Sequence, residues 1–220
     1  MAIAEAAGRR QARVRPNTSR RGGDQARWIR VLDVVVSLAA ILFFLPLMVL
    51  TALAIRGQDG GPALFRQARL GRGGVLFDCL KFRSMAVDAE ARLPDLMDAE
   101  WAAARKFRRD ARVTRLGRVL RLSSLDELPQ LINVLRGEMS LVGPRPIVLG
   151  EAQLYGRRLQ AYCAVRPGLT GLWQISGRND VAYCRRVAMD VWLVRNASVR
   201  VYLMILARTI HAVLSRRGAC

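Results

Sequence analysis

The chain has 220 residues, with 36 Lys and Arg against 17 Asp and Glu, a formal net charge of +19 and a pI near 11.5. A hydrophobic content of 52% excludes a disordered basic tail protein, and a single histidine, His211, excludes chemistry that needs several imidazoles. The four cysteines (Cys79, Cys163, Cys184, Cys220) are far apart with no CxxC pair, which fits neither a zinc site nor a compact disulfide framework and points to a reducing compartment.

Residues 1–28 are polar and Arg-rich and read as a disordered basic tail. From Val34 to Ile55 the chain carries 22 residues without a charge, ~33 Å as a helix and close to the thickness of a bilayer core. A buried core helix and a cleaved signal peptide are the alternatives, but the run is long for the first and its leader too extended for the second. Both flanks are basic: residues 1–33 hold eight Arg and three acids, and residues 56–220 hold 28 Lys and Arg and 14 acids. Positive charge favours the cytoplasmic side, and Pro46 sits mid-run, where it removes a helix hydrogen bond and bends the axis. A Pro-broken re-entrant membrane helix over 29–57, leaving by the face it entered, reconciles these features better than a straight span.

The remainder, 58–220, is charged and punctuated by Gly and Pro. Two semi-alternating runs in 63–82 flank Gly71-Arg72-Gly73-Gly74, a hairpin signal. Helices are expected over 94–109, 128–136, 185–195 and 199–215; the last is apolar around most of its circumference and has to pack on the core or lie at a bilayer surface. The fold class is α+β, mostly helical, with a small β-hairpin and interfacial helices on a monotopic membrane protein.

Chemistry concentrates in Arg121-Leu-Ser-Ser-Leu-Asp-Glu-Leu-Pro-Gln130. Pro129 is tolerated only in a first helical turn, so a helix should begin near Leu125 or Asp126 and set Asp126 and Glu127 at its N-terminus, a natural phosphate seat that favours ionised Asp126. Adjacent carboxylates point apart, so one can face a phosphorus atom while the other holds a metal ion; the bland alternative is a capped helix end. In Gly143-Pro144-Arg145-Pro146, two prolines restrain one arginine, either for anion binding or as a stiff turn. Lys81 and Arg83 near the hairpin end bind phosphate or form a solvated edge. Arg166 to Arg178 combines three glycines with Trp173, which stacks on a base or is buried as core.

Together, KFRSM at 81–85, SLDELPQLINVLRGEMSLVGPRP at 124–146 and RPGLTGLWQISGRND at 166–180 resemble the bacterial sugar transferases of the monotopic phosphoglycosyl transferase family. The resemblance covers roughly residues 28–220 and implies an enzyme on the cytoplasmic face of the bacterial inner membrane. It implies transfer of a sugar 1-phosphate, of the hexose type, from a UDP-sugar to undecaprenyl phosphate, initiating exopolysaccharide or another surface glycan. On that pattern Asp126 is the nucleophile of a ping-pong reaction, Glu127 binds Mg²⁺, and Arg121 and Arg145 neutralise phosphate. Lys81, Arg83 and Arg178 are further candidates for nucleotide or lipid phosphate. Partners are the donor, the lipid acceptor and membrane lipid, with a homodimer left open and no nucleic acid beyond the donor's nucleotide.

Three positions depart from the family pattern: Leu45 where some members place Ser, Ala111 where Pro is usual, and Ala197 where an aromatic is typical after Asn196. The competing reading is a non-enzymatic basic membrane protein that binds anionic lipid or nucleic acid; it accounts for the charge but gives no role to the Asp126-Glu127 pair.

Overall fold

A computed structural model of the chain describes residues 20–89, 110–177 and 181–214. The expected helix over 94–109 lies outside the described residues, as does Arg178. In chain order the helices are α1 (Arg20–Asp59), α2 (Arg115–Leu122), α3 (Gln130–Arg136), the short α4 (Ala152–Tyr155) and α5 (Leu159–Cys163), α6 (Leu172–Ile175), α7 (Tyr183–Arg195) and α8 (Val199–Leu214). The strands are β1 (Leu64–Leu70), β2 (Leu76–Phe82), β3 (Ser140–Val142) and β4 (Gly168–Thr170). The fold is α+β and mostly helical, with one long apolar helix, the architecture of a monotopic membrane protein.

The boundary expected at residue 28 moves. α1 starts at Arg20, so the last part of the basic segment is helical. Tertiary contacts hold its first arm against the domain: Arg30 donates to Val134 O (2.6 Å) and Leu135 O (2.9 Å) at the C-terminal end of α3. There a cation also complements the helix dipole. Asp33 is fully buried and accepts from Ser140 Oγ (2.9 Å), Leu141 N (2.8 Å) and Tyr202 Oη (2.8 Å), tying α1 to β3 and α8.

The second arm of α1 rests on the same domain. Ile29, Leu32, Val36, Ala40 and Ile41 pack on the cluster that contains Leu131, Val134, Leu141 and Ile205, while Met48, Ala52 and Ile55 pack with Phe82 and Leu120. A straight helix would separate Arg30 from Ile55 by ~37 Å. Their anchors lie much nearer each other: Asn133, next to Val134, bonds Leu80, which is three strand residues (~10 Å) from Arg83, the partner of Ile55 O. Pro46 is the only proline or glycine between the arms, and Leu42, Phe43 and Leu45 around it are exposed. Both arms of the helix thus pack on one domain, and the exposed apolar residues around Pro46 lie between them.

β1 and β2 pair antiparallel from Leu64↔Phe82 to Leu70↔Leu76, with the reversal at Gly73 and Gly74 (φ +73° and +78°), as the glycine run predicts. β3 and β4 form a second, parallel pair (Ser140↔Gly168, Val142↔Thr170) that the sequence did not announce. It brings two glycines into contact: a Cβ on Gly168 would lie 2.0 Å from Gly143 N. α7 and α8 match the expected helices. α8 packs on the core through Tyr202 and Ile205, while Leu203, Met204 and Ile210 are exposed.

Candidate active site

Asp126 and Glu127 do not open an α-helix. They lie in a tight 3₁₀ turn, Leu125–Glu127, and Pro129 (φ −60°) caps α3, which begins at Gln130. The N–H groups of Glu127, Leu128, Leu131 and Ile132 bond to the carbonyls of Ser124, Leu125, Leu128 and Pro129. The expected phosphate seat made of free helix-terminal amides is therefore mostly spent in the turn, and anion binding falls to side chains. Ser124, two residues before Asp126, has φ +58°, the only non-glycine residue with positive φ among the described residues. Such strain is held where the surroundings fix the backbone, and here it sets the course of the Leu125–Glu127 turn.

The two carboxylates diverge as their spacing requires. Asp126 is 8% exposed, sunk but not sealed, and Glu127 is more open. Lys81 Nζ donates to Glu127 Oε1 at 2.8 Å. Asn133, completely buried on α3, fixes that register: Leu80 N donates to its Oδ1 (3.0 Å), and its Nδ2 donates to Asp78 O (2.7 Å) and Glu138 Oε2 (2.6 Å). Burial, helped by the Glu127 charge and opposed by Lys81 and Arg121, pushes the Asp126 carboxyl up to about 6. This corrects the expectation that its surroundings favour the ionised form; at neutral pH it is nonetheless mostly carboxylate. Burial also acts to raise Glu127, but Lys81, Arg145 and Gln130 outweigh it and hold Glu127 below the usual range.

Arg121 Nε donates to Ser84 Oγ (2.8 Å), and its charge reaches Asp126. Arg145 stands exposed between buried Pro144 and Pro146, as the sequence predicts for a restrained arginine. Its guanidinium lies 5.5 Å from the centre of the Trp173 ring, and Arg186 lies 4.7 Å from the same ring. Trp173 is 3% exposed and so serves as a buried platform for cations, not as a base-stacking surface. Gly168 and Gly171 are needed where β4 meets residue 143, not for approach to a phosphate. Arg83 is set apart from the site: it is buried, ion-paired with Asp59 and bonded to Ile55 O (3.4 Å), so its charge latches the end of α1.

Lys81, Glu127 and Arg145 line one small cavity with Arg69, Gln130 and Gln174; Asp126, next to Glu127 in the chain, is not in its lining. Arg69, Gln130 and Gln174 escaped the sequence reading. Arg69 donates to Pro146 O (3.0 Å), and its buried Nε, like the buried Oε1 of Gln174, has no partner among the described residues. A ligand in the cavity would satisfy both. Asp190 was missed too: it is buried, accepts from Tyr155 Oη (2.7 Å), and burial raises it to about 7 against the pull of Tyr155 and Arg145. No motif signals it, since it is one acid on an amphipathic helix.

No cluster of three His, Cys, Asp or Glu suited to a metal occurs among the described residues. The donor set still suits Mg²⁺, which takes one or two carboxylates and completes its shell with water and substrate phosphate. Glu127 would supply the carboxylate, and Gln174, whose amide oxygen has no partner among the described residues, lines the same cavity.

Residues 25–216 match the family described as bacterial sugar transferase. The chain belongs to that family. The bacterial sugar transferase is 48% identical over 197 residues to the exopolysaccharide production protein ExoY of Rhizobium meliloti, covering 86% of this chain and 87% of that one. It is 45% identical to the undecaprenyl-phosphate galactose phosphotransferase of Salmonella typhimurium over 86% of this chain but 41% of the relative. It is 44% identical to the UDP-glucose:undecaprenyl-phosphate glucose-1-phosphate transferase of Caulobacter vibrioides, over 86% and 71% of the two chains. The chain thus spans less than half of some relatives and most of others. Family membership displaces the competing reading of a merely basic, lipid-binding protein.

Proposed function

We propose that this sugar transferase moves a sugar 1-phosphate from a UDP-sugar to undecaprenyl phosphate in two steps through Asp126, at the start of exopolysaccharide or other surface-glycan assembly. The observation that carries the proposal is a strained turn holding a partly buried carboxylate between Lys81-Glu127 and Arg121, on a domain gripped by both arms of an apolar helix. In the first step an Asp126 carboxylate oxygen bonds to the β-phosphorus, the bond from that phosphorus to the bridging oxygen breaks, and UMP leaves with that oxygen. The chain is left carrying an aspartyl phosphosugar. In the second, a phosphate oxygen of undecaprenyl phosphate attacks the same phosphorus, the aspartyl oxygen departs, and Asp126 is restored. No histidine is required, because phosphoryl transfer needs position and charge neutralisation above all.

Lys81, Arg121 and Arg145 neutralise the donor's phosphates, and Pro144 and Pro146 limit the freedom Arg145 loses in doing so. Glu127 would hold Mg²⁺, which supplies charge compensation for the pyrophosphate when bound. The apex of α1 enters the cytoplasmic leaflet of the inner membrane and brings the site to the depth of the acceptor's phosphate. A one-step transfer with Asp126 as base is the second reading, favoured by its raised pKa. The test of the activity is UMP release from a panel of UDP-sugars. Release that needs a hexose donor, undecaprenyl phosphate for multiple turnovers, and Mg²⁺ supports the proposal; no release from any UDP-sugar refutes it.

A further inference from the structure

A second cavity, about 210 Å³, is lined in part by Gly143 and Pro144, the residues just before Arg145 and Pro146 of the first. Its walls are mostly apolar (Ile29, Val165, Leu193 and Val201 among them), but three guanidiniums, from Arg30, Arg72 and Arg166, border it. The only acid in its lining is Asp33, so three arginines face one carboxylate, whose Oδ1 accepts from Ser140, Leu141 and Tyr202. Arg30 and Arg166 both reach Gly137: Arg166 Nε donates to Gly137 O (2.7 Å), and both guanidiniums come within 4.0 Å of where its Cβ would be. Arg72, exposed on the hairpin turn, has no side-chain partner among the described residues. Burial and the charges of Arg72 and Arg30 lower the Arg166 pKa against the pull of Asp33.

Two features identify the missing occupant. The helical wall formed by Ala26, Ile29, Arg30 and Asp33 runs directly into the charge-free stretch that begins at Val34, so the cavity lies where the membrane segment starts. The lining also includes Leu193, Val194, Ala197 and Val201, an apolar surface suited to acyl carbons. We propose that this cavity is a binding site for one anionic phospholipid, its phosphate on Arg30, Arg72 and Arg166 and its glycerol and first acyl carbons against the apolar wall. The site leans on the membrane reading above but not on chemistry at Asp126. Because its wall is the segment that carries Arg145, the bound lipid would brace that arginine from behind.

The test is native mass spectrometry of the full chain released from nanodiscs that mix phosphatidylglycerol with phosphatidylcholine, with soluble glycerol phosphate as a separate arm. One phosphatidylglycerol per chain should be retained in preference to phosphatidylcholine. Arg72→Glu, at an exposed turn, and Ala197→Trp, which fills the cavity, should each lower that retention roughly tenfold, the loss of one well-placed contact. Asp126→Asn should retain it fully. Equal retention of phosphatidylcholine, equal occupancy by glycerol phosphate alone, or wild-type retention in Arg72→Glu would overturn the site. Failure of the wild-type chain to enter nanodiscs would instead overturn the membrane reading on which it rests.

Discussion

Lys81 Nζ and Glu127 Oε1 are 2.8 Å apart, and this pair joins the hairpin to the turn that carries the carboxylates. It places a second cation, beside Arg121, against the like charge that Glu127 presents to Asp126. Replacing Lys81 with Met should cost 10²–10³-fold in kcat, on the order reported for removing one preorganised electrostatic group. It should also raise the apparent acid limb of the pH profile, since Lys81 lowers both neighbouring carboxyls. Steady-state UMP release across pH measures both effects.

Asp126, raised to about 6, must be ionised to attack, so turnover should fall as the pH drops through about 6 and be flat above. The same shift opposes folding at high pH. A carboxyl whose folded pKa exceeds its unfolded value adds stability below the unfolded pKa and loses that contribution as pH rises through the folded one. Asp126→Asn should therefore be more stable than wild type at pH 8, by at most ~3 kcal/mol, with the gain gone below about pH 4. Thermal unfolding in detergent at the two pH values reads it directly.

Gly168→Ala puts a methyl 2.0 Å from Gly143 N, against backbone that has nowhere to go. The β3–β4 pair should open and Arg145 lose its support. Activity should be lost along with soluble expression or thermal stability, unlike Arg145→Ala, which should lose activity with little change in melting temperature. Expression yield, melting curves and UMP release separate the two variants.

Tyr155→Phe removes the hydroxyl that donates to buried Asp190 at 2.7 Å. Leaving that carboxylate short of a partner should cost about 1–3 kcal/mol of stability, measured by denaturant unfolding in detergent.

Much of this arrangement could be read from residues alone. The glycine run at 71–74 marks the hairpin, the uncharged run with Pro46 marks the membrane segment, and two prolines around Arg145 mark a restrained cation. The helix-terminal seat for phosphate was misread because Pro129 caps α3 and leaves Asp126 and Glu127 in a tighter turn. Burial, which raises Asp126, is a tertiary property that no spacing encodes. Arg83 reads as a phosphate ligand from its motif, but Asp59, 24 residues earlier, takes its charge. Gln174 and Asp190 gain significance only from a parallel strand pair and a helix face assembled from distant parts of the chain.

The most direct measurement is rapid-quench mapping of the protein mixed with a sugar-labelled UDP-hexose, Mg²⁺ and no lipid acceptor. The account predicts one phosphosugar per chain, located on the peptide containing Asp126 and discharged when undecaprenyl phosphate is added. Unlabelled protein after a full single turnover, or label on any other residue, would contradict it.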